Sequence, residues 1–139
     1  MNSTQHYSIL HVEDSADDAE LVRLALQSAP FTFSARRVET EPGYLSALEA
    51  QLPDVILCDY NMPRFTAERA LEIMRERGLD VPFIVVSSHI GESEAVVAMQ
   101  QGASDYLSKA RLQRRWHPWN RPALHQQLTG SARILDLDN

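Results

Sequence analysis

Apolar residues gather in five short runs separated by amphipathic stretches, and this alternation sets the first expectation. The run 7-YSILHV-12 reads as a buried strand. The run 55-VILC-58, set between Asp54 and Asp59 and bounded by Pro53 and Pro63, reads as a strand buried on both faces. The stretch 31-FTFSARRVE-39 alternates loosely and predicts a second, weaker strand; 82-PFIVVSS-88 repeats the buried pattern, and 105-DYLSK-109 makes a short fifth strand. Helical spacing fills the intervals. Ser15 followed three residues later by Asp18 resembles a capping box, and Leu21, Leu24, Ala25 and Ser28 then recur at helical spacing, predicting a helix over about 16–29. Pro42 opens a second helix through Leu45, Leu48 and Glu49, since proline is at home in a first helical turn. A third spans Phe65 to Arg77 with Ala70, Leu71, Ile73 and Met74 on one face and Gly78 as its stop. A fourth spans Glu92 to Gln101, with Ala95, Val96 and Met99 expected to face inward and Gly102 closing it. Strand and helix alternate through five strands, which predicts an α/β fold with a parallel sheet covered on both faces.

The last thirty residues follow a different pattern. Pro118 and Pro122 exclude a continuous helix beyond Leu112, whereas Asn120 is placed to cap a short helix from about Pro122, with Leu124 and Leu128 inward and Gly130 closing it. One domain is expected over 7–130, after a flexible leader 1–6 and before a tail 131–139, with an atypical last helix over about 120–130.

Composition narrows the function classes. A chain of 139 residues with 44% hydrophobic and 23% charged residues suits one soluble domain with a real core. Its formal charge of −6 argues against general affinity for nucleic acid or an anionic membrane, even though Arg111, Arg114, Arg115 and Arg121 are interleaved with Trp116 and Trp119. That segment is read as a surface helix approach or a partner-docking patch. Cys58, the single cysteine, lies inside a buried run and reads as core. His11 reads as a packed core histidine, because no second His or Cys sits at metal-site spacing. No signal segment or membrane span is read, so a cytoplasmic protein is expected.

The candidate chemistry collects at strand ends. Glu13 and Asp14 follow the first strand, Asp59 the third, Ser87 and Ser88 the fourth, and Lys109 the fifth. In a sheet ordered 2-1-3-4-5 these residues converge on one rim, where open α/β sheets carry their ligands. Three carboxylates together repel, and a divalent cation relieves the repulsion. Oxygen ligands that are few and open to water suit Mg2+. Lys109 then supplies a point charge and Ser87 a hydroxyl for the remaining oxygens of a phosphoryl group.

At these residues the sequence resembles the receiver domain of two-component response regulators. The resemblance runs from about Ser8 to Lys109 and rests on VED at 12–14, CDYNMP around Asp59, VSS at 86–88 and GASDYLSK at 102–109. It implies a flavodoxin-like, doubly wound five-stranded parallel sheet of order 2-1-3-4-5 with helices on both faces. It further implies that Asp59 accepts a phosphoryl group from a histidine kinase or a histidine phosphotransfer protein. Glu13, Asp14, Asp59 and the backbone carbonyl of Asn61 would hold Mg2+; Ser87 would bind the phosphoryl oxygen and Lys109 would pair with it. Tyr106 matches an aromatic whose rotamer, with Ser87, reports on phosphorylation. The implied protein is not an enzyme in its own right. It signals by protein contact, either as a stand-alone receiver or as one cut from a hybrid kinase, and a homodimer is compatible with this role.

Three departures from the family pattern carry expectations of their own. Ala110 stands where the family has a proline after the lysine, and a cis bond before a non-proline costs roughly 2.5–4 kcal/mol, so a trans Lys109–Ala110 peptide is expected. Ala67 replaces a glycine, which questions the usual turn into the third helix. The two prolines interrupt the family's last helix. Two alternatives compete with the main reading: a non-phosphorylated pseudo-receiver, and a haloacid-dehalogenase-like phosphatase. The second wants an aspartate where Asn61 stands.

Overall fold

The structure, a computed structural model, describes residues 6–27, 31–60, 62–88 and 92–109. Five strands and four helices alternate: β1 His6–Val12, α1 Ala16–Leu26, β2 Thr32–Val38, α2 Glu41–Ala50, β3 Val55–Asp59, α3 Ala67–Glu76, β4 Phe83–Ser87, α4 Glu92–Gln100 and β5 Asp105–Ser108. The sheet is parallel throughout, in the order β2-β1-β3-β4-β5, and the fold is flavodoxin-like. Because parallel strands need crossovers, each helix lies on a face of the sheet, and the central strands lose both faces to the core. Every residue of β3 and β4 is buried.

The two-residue period of the strands divides the core into two layers. On one face Leu10, Val12, Ile56, Cys58, Phe83 and Val85 pack with Tyr44 and Leu48 of α2, Ala70, Leu71, Ile73 and Met74 of α3, and Ala98 of α4. On the other, Tyr7, Ile9, Val55, Leu57, Ile84 and Val86 pack with Val22 and Leu26 of α1. Cys58 and His11 are both buried, as the sequence predicts.

Register brings the strand ends level. Val12 lies opposite Cys58, Asp59 opposite Val86, and Ser87 opposite Ser108, so the residues that follow β1, β3, β4 and β5 share one rim. Three threonine or serine caps fix where the helices begin. Ser15, Thr40 and Thr66 are extended, and each side chain accepts the N–H three residues on, at Asp18, Gly43 and Arg69. Gly78 ends the turn after α3 with φ 63°, a conformation that costs glycine nothing.

Several expectations are corrected. The first helix ends at Leu26 rather than near residue 29, and its buried stripe is Val22, Ala25 and Leu26, leaving Leu21 and Leu24 exposed. Among the described side chains of α4 Ala98 alone is buried; Val96 and Met99, expected inward, are exposed and Ala95 is half-buried. Five consecutive apolar residues, Ala95 to Met99, wrap the whole circumference of that helix, so spacing alone does not choose its inner face. The third helix starts at Ala67, not Phe65, because Thr66 takes the cap and Phe65 is drawn into the core. Ala67 sits in the first helical turn, buried, where no glycine conformation is needed. His6, expected in the leader, instead opens β1. The expectations for the rest of the leader, the short helix near Pro122, the Arg- and Trp-bearing segment, the tail and the Lys109–Ala110 peptide lie outside the described residues, as does Asn61. Among the described residues no helix is long and apolar enough to cross a membrane.

Candidate functional site

The rim is built from the residue immediately after β1. Glu13 is almost fully buried and is held from three sides: its N–H donates to the Val38 carbonyl at 2.9 Å, its own carbonyl accepts from Arg37 Nη1 at 3.1 Å, and the Ser15 N–H donates to its Oε2 at 3.2 Å. Asp14 follows, exposed, and Asp59 closes β3 as a buried carboxylate. One oxygen from each of Glu13, Asp14 and Asp59 lies within 4.8 Å of the others. Burial pushes the Glu13 carboxyl above its ordinary range, and the nearby charge of Asp59 adds to this against the opposing contact with Lys109.

Lys109, the residue after β5, directs its ammonium into this group. Its Nζ donates to Asp18 Oδ2 at 2.8 Å and forms ion pairs with Glu13 Oε1 at 3.0 Å and Asp59 Oδ1 at 3.5 Å. Burial works against a charge here, yet the Asp18 and Glu13 contacts, joined by the Asp59 charge, outweigh it and raise the lysine pKa. Ser87 ends β4, buried, beside β5, and Ser88 is exposed. Tyr106, half-buried on β5, meets Tyr60 with ring centroids 6.1 Å apart and planes at 58°.

The residues predicted from strand ends are therefore brought together: Glu13, Asp14, Asp59 and Lys109 in contact or near contact, with Ser87 on the neighbouring strand end. Two participants escape a reading of the sequence. Asp18 reads there only as part of the cap, although it lies in the first turn of α1, a few residues after Glu13 and Asp14. Tyr60 enters there only as part of CDYNMP, although it adjoins Asp59 and its N–H donates to the Val86 carbonyl at 2.9 Å.

The family model described as the response regulator receiver domain matches residues 9–117. The chain belongs to this receiver family. A protein-glutamate methylesterase/protein-glutamine glutaminase of Treponema pallidum (strain Nichols) is 34% identical over 112 residues, covering 78% of this chain and 28% of that protein. The DNA-binding transcriptional regulator NtrC of Proteus hauseri is 36% identical over 95 residues, covering 67% of this chain and 20% of that protein. The chain thus spans less than a third of the length of either curated relative. The receiver domain of the response regulator NarL from Mycobacterium tuberculosis superposes with a TM-score of 0.74 at 23% identity, over 91% of this chain and 98% of that one, which establishes the fold.

As a receiver, the chain is a two-component signalling domain. Its acidic group also fits a hard divalent cation: among the described residues three carboxylates converge without a nitrogen or sulfur ligand, and one of them is exposed to water. A cation there relieves the repulsion that helps hold the Glu13 carboxyl high.

Proposed function

We propose that this receiver accepts a phosphoryl group on Asp59 from the histidine of a partner kinase or phosphotransfer protein, and passes the signal on by protein contact. The observation that carries the reading is the position of Asp59, a buried carboxylate at the end of β3, within 3.5 Å of Lys109 and clustered with Glu13 and Asp14. An Asp59 oxygen attacks phosphorus and the bond from phosphorus to the donor imidazole nitrogen breaks; that nitrogen keeps the electron pair, and because the donor phosphohistidine carries a proton on its other ring nitrogen, the leaving group is neutral imidazole. Negative charge gathers on the phosphoryl oxygens. Lys109 opposes it with a fixed ammonium, and Ser87 at the end of β4 offers a hydroxyl donor. Glu13, Asp14, Asp59 and the Asn61 carbonyl would hold Mg2+, which supplies the remaining positive charge toward the phosphoryl oxygens. Tyr106, near Tyr60, and Ser87 are the side chains through which the phosphorylated state reaches the surface of β4 and β5. The domain is a phospho-acceptor rather than an enzyme with its own substrate, and its output is a downstream protein or a second copy of the chain.

Incubation with acetyl phosphate and Mg2+ tests this reading by mass. The wild-type chain is expected to gain one phosphoryl group and Asp59→Asn none; the adduct persisting in Asp59→Asn overturns the assignment.

A further inference from the structure

Lys109 has three carboxylates around one ammonium, and the shortest contact is not to the residue that the proposed chemistry would use. Nζ lies 2.8 Å from Asp18, 3.0 Å from Glu13 and 3.5 Å from Asp59. The Asp18 contact is an aligned hydrogen bond, whereas Glu13 Oε1 has no hydrogen-bond partner among the described residues and meets the lysine only as an ion pair. The two also differ in what release would cost. The Glu13 side chain is 1% exposed and cannot be rehydrated where it stands; that of Asp18 is 38% exposed and takes up water as soon as the ammonium leaves. Of the two shorter contacts, that with Asp18 is therefore the one that can be given up.

Building on the proposed phosphorylation of Asp59, we propose that Asp18 is a positioning residue that holds the Lys109 ammonium on the α1 side of the site and competes for it with a phosphoryl group on Asp59. An ammonium is a compact point charge with three donors, so one arriving phosphoryl group can replace a carboxylate partner without a change of lysine rotamer family being required. Asp18 is itself fixed. Its N–H donates to Ser15 Oγ at 3.1 Å, and the Ser15 N–H donates to Glu13 Oε2, so the first turn of α1, the acidic group and the end of β5 form one connected set. Drawing Lys109 toward Asp59 cuts the link between α1 and β5. Asp18 thereby sets how tightly the site holds a phosphoryl group, and couples that event to the start of α1.

The test is a titration of the full chain with beryllium fluoride, a phosphoryl mimic, at saturating Mg2+. Asp18→Asn and Asp18→Ala, at a partly exposed position, are each expected to bind the mimic about tenfold more tightly than wild type, the size expected for losing one competing charge-assisted hydrogen bond. Asp17→Asn removes the same formal charge from the exposed neighbouring position and is expected to change affinity by less than about twofold, since an exposed carboxylate without a direct contact is largely screened. In a Lys109→Met background the Asp18→Asn gain is expected to vanish. Unchanged or weaker binding in both Asp18 variants overturns the proposal, as does an equal gain from Asp17→Asn or a gain that survives in Lys109→Met. A wild-type chain that binds no mimic overturns the Asp59 reading together with this one, whereas normal wild-type binding with no Asp18 effect overturns this one alone.

Discussion

The hydroxyl of Tyr44, on α2, donates to the carbonyl of Ala70, on α3, across 3.1 Å, and neither residue meets solvent. Burial holds the phenol above its ordinary range, so it acts here only as a donor. The ring packs against Phe65 with centroids 5.1 Å apart, in the layer that supports the third strand from below the acidic rim.

Tyr44→Phe keeps that packing and removes one buried hydrogen bond, so a loss of about 1 kcal/mol is expected. Tyr44→Ala also leaves a cavity and is expected to cost about 3–5 kcal/mol. Urea denaturation at constant m-value measures both. A Tyr44→Phe variant as damaging as Tyr44→Ala would refute the division between packing and hydrogen bond.

Mg2+ is expected to raise the unfolding temperature, because a cation bound only by the native carboxylate cluster shifts the equilibrium toward it. At a hundredfold excess over Kd the gain is about 2.7 kcal/mol. Asp14→Ala removes an exposed ligand without disturbing the core and is expected to lose most of this rise. A Mg2+-dependent rise of wild-type size in Asp14→Ala would exclude the cluster as the binding site.

His11 gives the fold a pH dependence of known sign. Its imidazole is held at about 4 against an ordinary 6.5, chiefly by burial and also by the charges of Lys109 and Arg37, and its Nε2 has no hydrogen-bond partner among the described residues. Between these values the unfolded chain binds a proton that the folded chain does not, so stability rises with pH. The contribution, on the order of 3 kcal/mol, is fully present above about 6.5 and is lost as pH falls toward 4. Glu13, with a raised pKa, works in the opposite sense, gaining stability as pH falls through its folded value. The difference between wild type and His11→Leu isolates the histidine: the variant is expected to show a flatter stability profile over this window. Parallel profiles would contradict the assignment.

The strand-end residues are legible in the sequence because a strand signal and a polar terminus coincide there: Glu13 and Asp59 each follow an apolar run, and Lys109 follows the short strand 105-DYLS-108. Asp18 is not, since its role depends on the start of α1 and the end of β5 meeting across 91 residues of chain, and no local pattern encodes that meeting. Thr40 and Thr66 carry a readable signal that the periodicity obscures: each is a capping residue directly before a helical stretch, the first also two before Pro42. The exposed Leu21, Leu24, Val96 and Met99 mislead for a different reason, because an apolar residue at helical spacing states that a helix forms and not which side of it meets the sheet.

The pairing of Val12 with Cys58 has a consequence for the order in which the molecule acquires its properties. A slip of one residue between β1 and β3 would displace Asp59 by about 3.3 Å and turn it to the opposite face of the sheet, away from Glu13. The cluster is thus assembled only when distant segments have closed in the correct register, and such non-local closures come late and slowly. A nascent or partly folded chain carries the same acidic residues but no cation-binding centre. Under the function proposed above, metal affinity comes only with completed folding, and a chain that does not yet hold it is silent to an upstream kinase.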